Sequence, residues 1–165
     1  MKIAIFSDLH DDGNNLKKFL DFCQKEKIKT LIFCGDLANQ ETLGYLADNF
    51  LGKIFMVGGN ADLFGTRETK KYSNIIFSPD VIEVHLGKLN FVAIHKPKDL
   101  IKFLSKKNIS PDFAFHGHTH RPDIKETGKT TIANPGTLNG PEYQASFATL
   151  DCATKKLSLN ILSKI

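Results

Sequence analysis

Five short apolar runs in this chain each stop on a side chain that can bind a metal. After KIAIFS come Asp8 and His10, after TLIFCG comes Asp36, and after IFMVGG comes Asn60. His95 follows NFVAI, and His118 and His120 follow DFAFHG. Runs of this length, rich in β-branched and aromatic residues, read as buried strands. In open α/β sheets, ligand sites form in the crevice at the carboxyl ends of the strands. A chain built this way is constrained to bring those ends together, and the seven polar residues with them.

The segments between the runs fit that expectation. Lys2–Ser7, Thr30–Cys34 and Lys53–Val57 read as strands, separated by helices over Asn14–Glu26 and Glu41–Asn49. In the first helix Leu16, Phe19, Leu20 and Cys23 recur at i, i+3, i+4 and i+7, one face of an amphipathic helix. Val81–Leu86 and Leu89–Ile94 bracket Gly87-Lys88 as a hairpin, and Asp99–Lys107 reads as a helix. Phe113–Phe115, Ile124–Thr127, Thr130–Asn134, Ser146–Asp151 and Lys156–Leu162 complete a strand-rich second half. The pattern predicts two packed sheets flanked by helices. With 165 residues and no repeat or linker, we expect a single domain over residues 1–165.

Asp8 and His10 are two residues apart, as are His118 and His120, so each pair leaves an extended strand end on one face. Carboxylate, amide oxygen and imidazole together, without a thiolate, suit Mn²⁺, Fe or Zn²⁺ in a working site rather than structural zinc. Seven ligands exceed what one tetrahedral ion takes, and fit two ions sharing a carboxylate. Two divalent ions bring four positive charges and the two aspartates return two. The remainder accommodates a hydroxide and a phosphate ester, which points to phosphoryl chemistry.

The composition excludes several classes. The first ten residues hold too short an apolar run for a signal peptide, and no run approaches a membrane span. Three cysteines, far apart and without CxxC spacing, read as reduced thiols in a cytoplasmic protein. A formal net charge of +4 suits an anionic small substrate and falls short of a nucleic-acid-coating surface.

DLH at 8–10, GD at 35–36, GN at 59–60, the strand-end His95 and GHTH at 117–120 together resemble the calcineurin-like metallophosphoesterase superfamily. In length and motif order the chain looks most like its small bacterial and archaeal phosphodiesterase branch. The resemblance implies a four-layer α/β/β/α sandwich of two mixed sheets flanked by helices. It implies one ion on Asp8, His10, Asp36 and His120, a second on Asp36, Asn60, His95 and His118, and Asp36 bridging them. NPGT at 134–137 resembles the branch's NPGS turn near the site. The implied activity is hydrolysis of a small phosphodiester by a hydroxide held between the ions, with Asp36, Asn60 and His95 nearest the chemistry. Manganese comes first as the metal, with Ni²⁺, Zn²⁺ and Fe²⁺ as alternatives. Competing readings are a protein-interaction scaffold, as a relative of this fold serves in the retromer complex, and a nuclease. Homo-oligomers stay compatible with the sequence.

Three positions depart from the superfamily pattern. Ala61 stands where many members carry a histidine, Lys96 where glycine is usual, and LNGPEY follows NPGT in place of a serine-and-arginine continuation. Among the other polar residues, His116 either supports the site from behind or touches substrate. Asp62 either orients Asn60 or caps the next helix. His85 reads as surface and Cys34 as a core thiol, while Lys96, Lys98 and Lys102 read as a solvated stripe.

Overall fold

A computed structural model describes residues 1–140 and 143–165. The first half alternates β1 (Lys2–Phe6), α1 (Gly13–Lys25), β2 (Thr30–Phe33), α2 (Gln40–Asn49) and β3 (Lys53–Val57), followed by the one-turn α3 (Thr66–Thr69) and β4 (Ile75–Ser78). The second half runs β5 (Ile82–Leu86), β6 (Leu89–Ala93), α4 (Pro97–Lys107), β7 (Phe113–Phe115), β8 (Asp123–Thr127), β9 (Thr130–Asn134), β10 (Ser146–Asp151) and β11 (Lys156–Ile161).

Two mixed sheets result. One has the order β11-β10-β1-β2-β3-β4, and the other β5-β6-β7-β9-β8. In the first, β1 through β4 are parallel neighbours while β10 returns antiparallel to β1, with Ile3 opposite Leu150. In the second, β6, β7 and β9 are parallel, with antiparallel β5 and β8 at the edges.

Alternation along β1 shows why the runs are apolar throughout rather than every second residue. Ala4 and Phe6 join a core with Leu16, Phe19 and Leu46 from α1 and α2, whereas Ile3 and Ile5 face Phe91 and Phe115 of the opposite sheet. A strand covered on both faces has no polar side. A third core of Val92, Ile94, Leu100 and Ala114 lies under α4. The layers are therefore α/β/β/α, with Phe6, Phe19, Phe33 and Phe147 packed ring to ring in the first core.

The hairpin around Gly87 and every strand expected from sequence are present, with ends moved by a residue or two. β4 and α3 went unread. Only three apolar residues precede Ser78-Pro79 in β4, an edge strand with no fully buried position, and α3 is too short for a helical period. Helix α1 starts earlier than its apolar period because the Asp12 side chain accepts from the Asn15 N–H and caps it.

Candidate metal centre

The seven strand-end residues converge. Asp8, His10 and His120 place ligand atoms within 4.8 Å of one another, and so do Asp36, His95 and His118. His10 Nε2 lies 3.3 Å from His120 Nε2, and His118 Nδ1 lies 3.3 Å from His95 Nε2. Asn60 Oδ1 stands 3.1 Å from His95 Nε2, within the second group. Asp36 sits between the two groups. Its Oδ2 is 3.2 Å from His95 Nε2 and 3.8 Å from His10 Nε2, while its Oδ1 accepts the Ala61 N–H at 2.8 Å.

The backbone at these positions is unusual. Asp8, His10, Asp36, His118 and His120 all adopt left-handed conformations, with φ between 45° and 69°. A side chain there costs about 1–3 kcal/mol and persists where the surroundings over-determine it. They do so here. Beyond the end of β1, the N–H groups of Asp8, Leu9 and His10 still bond the carbonyls of Gly35 and Asp36 at 2.9–3.1 Å, so the β1 and β2 loops descend as a pair. The NPGT turn clamps the same loop, with Thr137 Oγ1 donating to the Asp8 carbonyl at 2.5 Å and the Leu138 N–H to the Ser7 carbonyl at 3.1 Å. Buried Asn134 ties this turn to the GHTH loop through the Gly117 carbonyl at 3.1 Å and the Thr119 hydroxyl at 2.9 Å.

Gly35, Gly59 and Gly117 leave no room for a side chain, Gly59 because a Cβ would run into Asp36. Gly35 has φ of 96°, and a Cβ on it would lie 2.6 Å from His95 Nδ1. A Cβ on Gly117 would run into the Ser7 hydroxyl and the Asp8 carboxylate.

The electrostatics follow from burial and pairing. Burial pushes the Asp8 carboxyl, which is 0% exposed, above its ordinary value against the pull of Ser7, His95 and His120. Burial acts on Asp36 too, but hydrogen bonds from His95 and the Ala61 N–H, with the charges of His95 and His10, outweigh it and hold that carboxyl low. At His95 burial is likewise outweighed, by Asp36 and the Cys34 carbonyl, and the imidazole is held above its usual value. The Cys34 carbonyl, 2.8 Å from His95 Nδ1, can only accept, so Nδ1 carries a hydrogen. In the neutral ring Nε2 then presents its lone pair to Asp36, Asn60 and His118. A carbonyl behind one nitrogen and a polar cluster before the other is the usual setting of a metal-binding histidine. Two clusters of oxygen and imidazole donors, without thiolate and with buried carboxylates, fit a pair of divalent cations.

Other positions fall outside the clusters. His116 Nδ1 meets the Gly117 carbonyl at 3.1 Å, and burial holds its imidazole below the ordinary value. His85 is exposed and bonds Asn90, and Cys34 is fully buried, its thiol pushed well up by burial. The helix-cap reading of Asp62 is corrected, and the contact that bears on Asn60 runs through the backbone of its neighbour Gly59. Asp62 neither bonds Asn60 itself nor caps α3, whose N-cap is Gly65. Its Oδ1 accepts the Leu37 and Ala38 N–H groups at 2.7 and 3.0 Å and its Oδ2 the Gly59 N–H at 2.7 Å, lashing the Asp36 loop to the Asn60 loop. Gly59 is a local partner, but Leu37 and Ala38 lie 25 and 24 residues away, beyond any local signal. Of the departing LNGPEY segment, Pro141 and Glu142 lie outside the described residues. Tyr143 sets its ring edge-on to His120 at 5.8 Å, a contact the sequence did not signal.

Residues 1–155 match the sequence profile of the calcineurin-like phosphoesterase superfamily domain. The chain belongs to that superfamily. A phosphodiesterase of Methanocaldococcus jannaschii is 30% identical over 147 residues, covering 85% of this chain and 86% of that protein. A solved archaeal phosphodiesterase superposes with a TM-score of 0.85 at 26% identity, over 98% of this chain and 99% of that one. Vps29 of Entamoeba histolytica, solved in complex with Zn²⁺, shares the calcineurin-like fold with a TM-score of 0.71 at 20% identity, over 96% and 90% of the two chains. Among the described residues of this calcineurin-like chain, no helix is long and apolar enough to cross a membrane.

Proposed function

We propose that this calcineurin-like chain hydrolyses the phosphodiester bond of a small substrate, as one cytoplasmic domain. In this reading Asp8, His10, Asp36 and His120 hold one divalent cation and Asp36, Asn60, His95 and His118 a second, with manganese as the working metal. The observation that carries it is the placement of Asp36 Oδ2 between the two histidine clusters, 3.2 Å from His95 and 3.8 Å from His10. The ions would supply Lewis acidity toward phosphate oxygens and lower the pKa of a water.

The chain's own groups do the positioning. The Ala61 N–H fixes Asp36 Oδ1 and leaves Oδ2 facing both clusters. The His118 N–H holds the Asp8 carboxylate at 3.0 Å and keeps it aimed inward. The Cys34 carbonyl holds the His95 ring with Nε2 forward. Ala61 itself has no ionisable group to give the departing oxygen a proton.

The test uses protein stripped of metal, reloaded in turn with Mn²⁺, Ni²⁺, Zn²⁺ or Mg²⁺ and assayed on bis(p-nitrophenyl) phosphate. We expect turnover with a transition metal and its loss in chelator. Asp36→Asn should lose more than the roughly 10–100-fold typical of a supporting residue, together with bound metal. Full activity in Asp36→Asn would refute the shared carboxylate.

A further inference from the structure

A cavity of about 220 Å³ opens beside the second cluster, with Asn60 and His95 on one side and Asp80, Lys96 and Asp99 on the other. A neighbouring cavity of about 280 Å³ shares Asp80, Ile94 and Asp99 and continues over Val81 and Phe103 to Lys102 and Lys106. The shared wall makes them one groove leading away from the candidate metal centre. Both lie within the size range of small-molecule sites when taken together, roughly 300–1,000 Å³.

The groove changes character along its length. Near the cluster it presents the carboxylates of Asp80 and Asp99, both exposed and absent from the ion pairs of the described residues. Asp99 sits in the first turn of α4, where a carboxylate favours the helix by itself. Asp80 comes from a different segment, between β4 and β5, and meets Asp99 across the same cavity. Two acceptor-only groups from separate segments facing one space suit a ligand with several hydroxyl donors. They oppose a second phosphate there. Farther out, Val81, Ile94 and Phe103 form an apolar floor, with Phe103 braced against the core beneath α4.

We propose that this groove seats one ester substituent of the substrate and that the substituent is a mononucleoside. Its sugar hydroxyls bond Asp80 and Asp99, and its base lies on Val81 and Phe103, with Lys102 and Lys106 at the far rim. The inference rests on the phosphodiester reading of the adjoining site.

The experiment compares kcat/KM for three p-nitrophenyl diesters with the same leaving group, in Mn²⁺. The second substituent is methyl, ribose through its 5′ oxygen, or uridine through its 5′ oxygen. In the wild type kcat/KM should rise about tenfold at each step, first for the charged hydrogen bonds and then for the ring. Asp80→Asn, on an exposed loop, should collapse the ribose-over-methyl ratio. Phe103→Leu, which keeps most of the buried volume, should collapse the uridine-over-ribose ratio. Equal values for the three esters, or ratios unmoved by both variants, would overturn the groove while leaving the phosphodiesterase reading intact. No p-nitrophenol from any of the three would sink that reading, and this inference with it.

Discussion

Removing the Asp62 carboxylate should loosen the candidate metal centre without touching a proposed ligand. Asp62→Ala strips the acceptor from three backbone N–H groups, those of Leu37, Ala38 and Gly59, at 2.7, 3.0 and 2.7 Å. The site is half-buried, so each orphaned donor is taken at the low end of its range, about 1 kcal/mol, for a loss of roughly 3 kcal/mol. In a chain of this size each kcal/mol moves Tm by about 2–4 °C, so the melt should fall by about 6–12 °C. Asp62→Asn retains an oxygen for Leu37 and Ala38 but turns an amino group toward the Gly59 N–H. Its loss should be near 1 kcal/mol, or about 2–4 °C. The melts belong in chelator, so that weakened metal binding does not add to the shift. Calorimetric titration with Mn²⁺ should then show affinity reduced by about 10–100-fold in Asp62→Ala, the scale for residues that hold ligands in place. An Asp62→Ala melt within about 2 °C of wild type, or an Asn variant as damaged as the Ala variant, would refute the argument.

Three further outcomes follow from the same geometry. His118→Ala and His120→Ala should each lower the metal-to-protein ratio measured by elemental analysis, whereas His116→Ala should leave it unchanged; the reverse ranking would mean that the GHTH loop is misassigned. Because Ala61 offers no proton, kcat/KM should fall steeply as leaving-group pKa rises, and Ala61→His should flatten that slope by adding a donor worth about 10²–10⁴-fold; identical slopes would dismiss the missing-acid account. In chelator the stability drawn from His95 should be greater at pH 5 than at pH 8, read as the melting temperature of wild type relative to His95→Gln at each pH, so that His116, whose lowered value works in the opposite direction, is common to both proteins. The raised pKa values of Asp8 and His95 give stability that is full below their unfolded values and lost as pH rises through the folded ones, while the lowered value of Asp36 loses its stability only as pH falls through it, in the acid range below pH 5. A wild-type advantage over His95→Gln that grows from pH 5 to pH 8 would contradict that sign.

The sequence was most legible where burial was most complete. KIAIF and TLIF are apolar end to end because each strand lies between a helix layer and the other sheet, and their abrupt polar ends exposed the candidate site. Ile75–Ser78 was not legible, since an edge strand with one partner and half-buried side chains carries little pattern. Nor was the left-handed backbone of Asp8, His10, Asp36, His118 and His120, which is imposed by hydrogen bonds between loops distant in the chain. Asp62 was legible only in part for the same reason: its bond to Gly59 is local, while those to Leu37 and Ala38 are set by the tertiary fold. The groove walls at Asp80, Lys96 and Asp99 were invisible because they meet only once β4 and α4 are placed.

The return of β10 to lie against β1 bears on how the protein is made. Strand β1 leaves the ribosome well before β10, so one of its two edges stays open until residues 148–151 arrive to pair with Lys2–Ile5. The clamp on the Asp8 carbonyl likewise waits for Thr137. Contacts this far apart in sequence form slowly, and an unpaired, wholly apolar strand invites wrong partners while it waits. The candidate metal centre is therefore among the last features a nascent chain can complete. Chains stalled or cut just before residue 146 should carry all seven proposed ligands and still fail to hold ions.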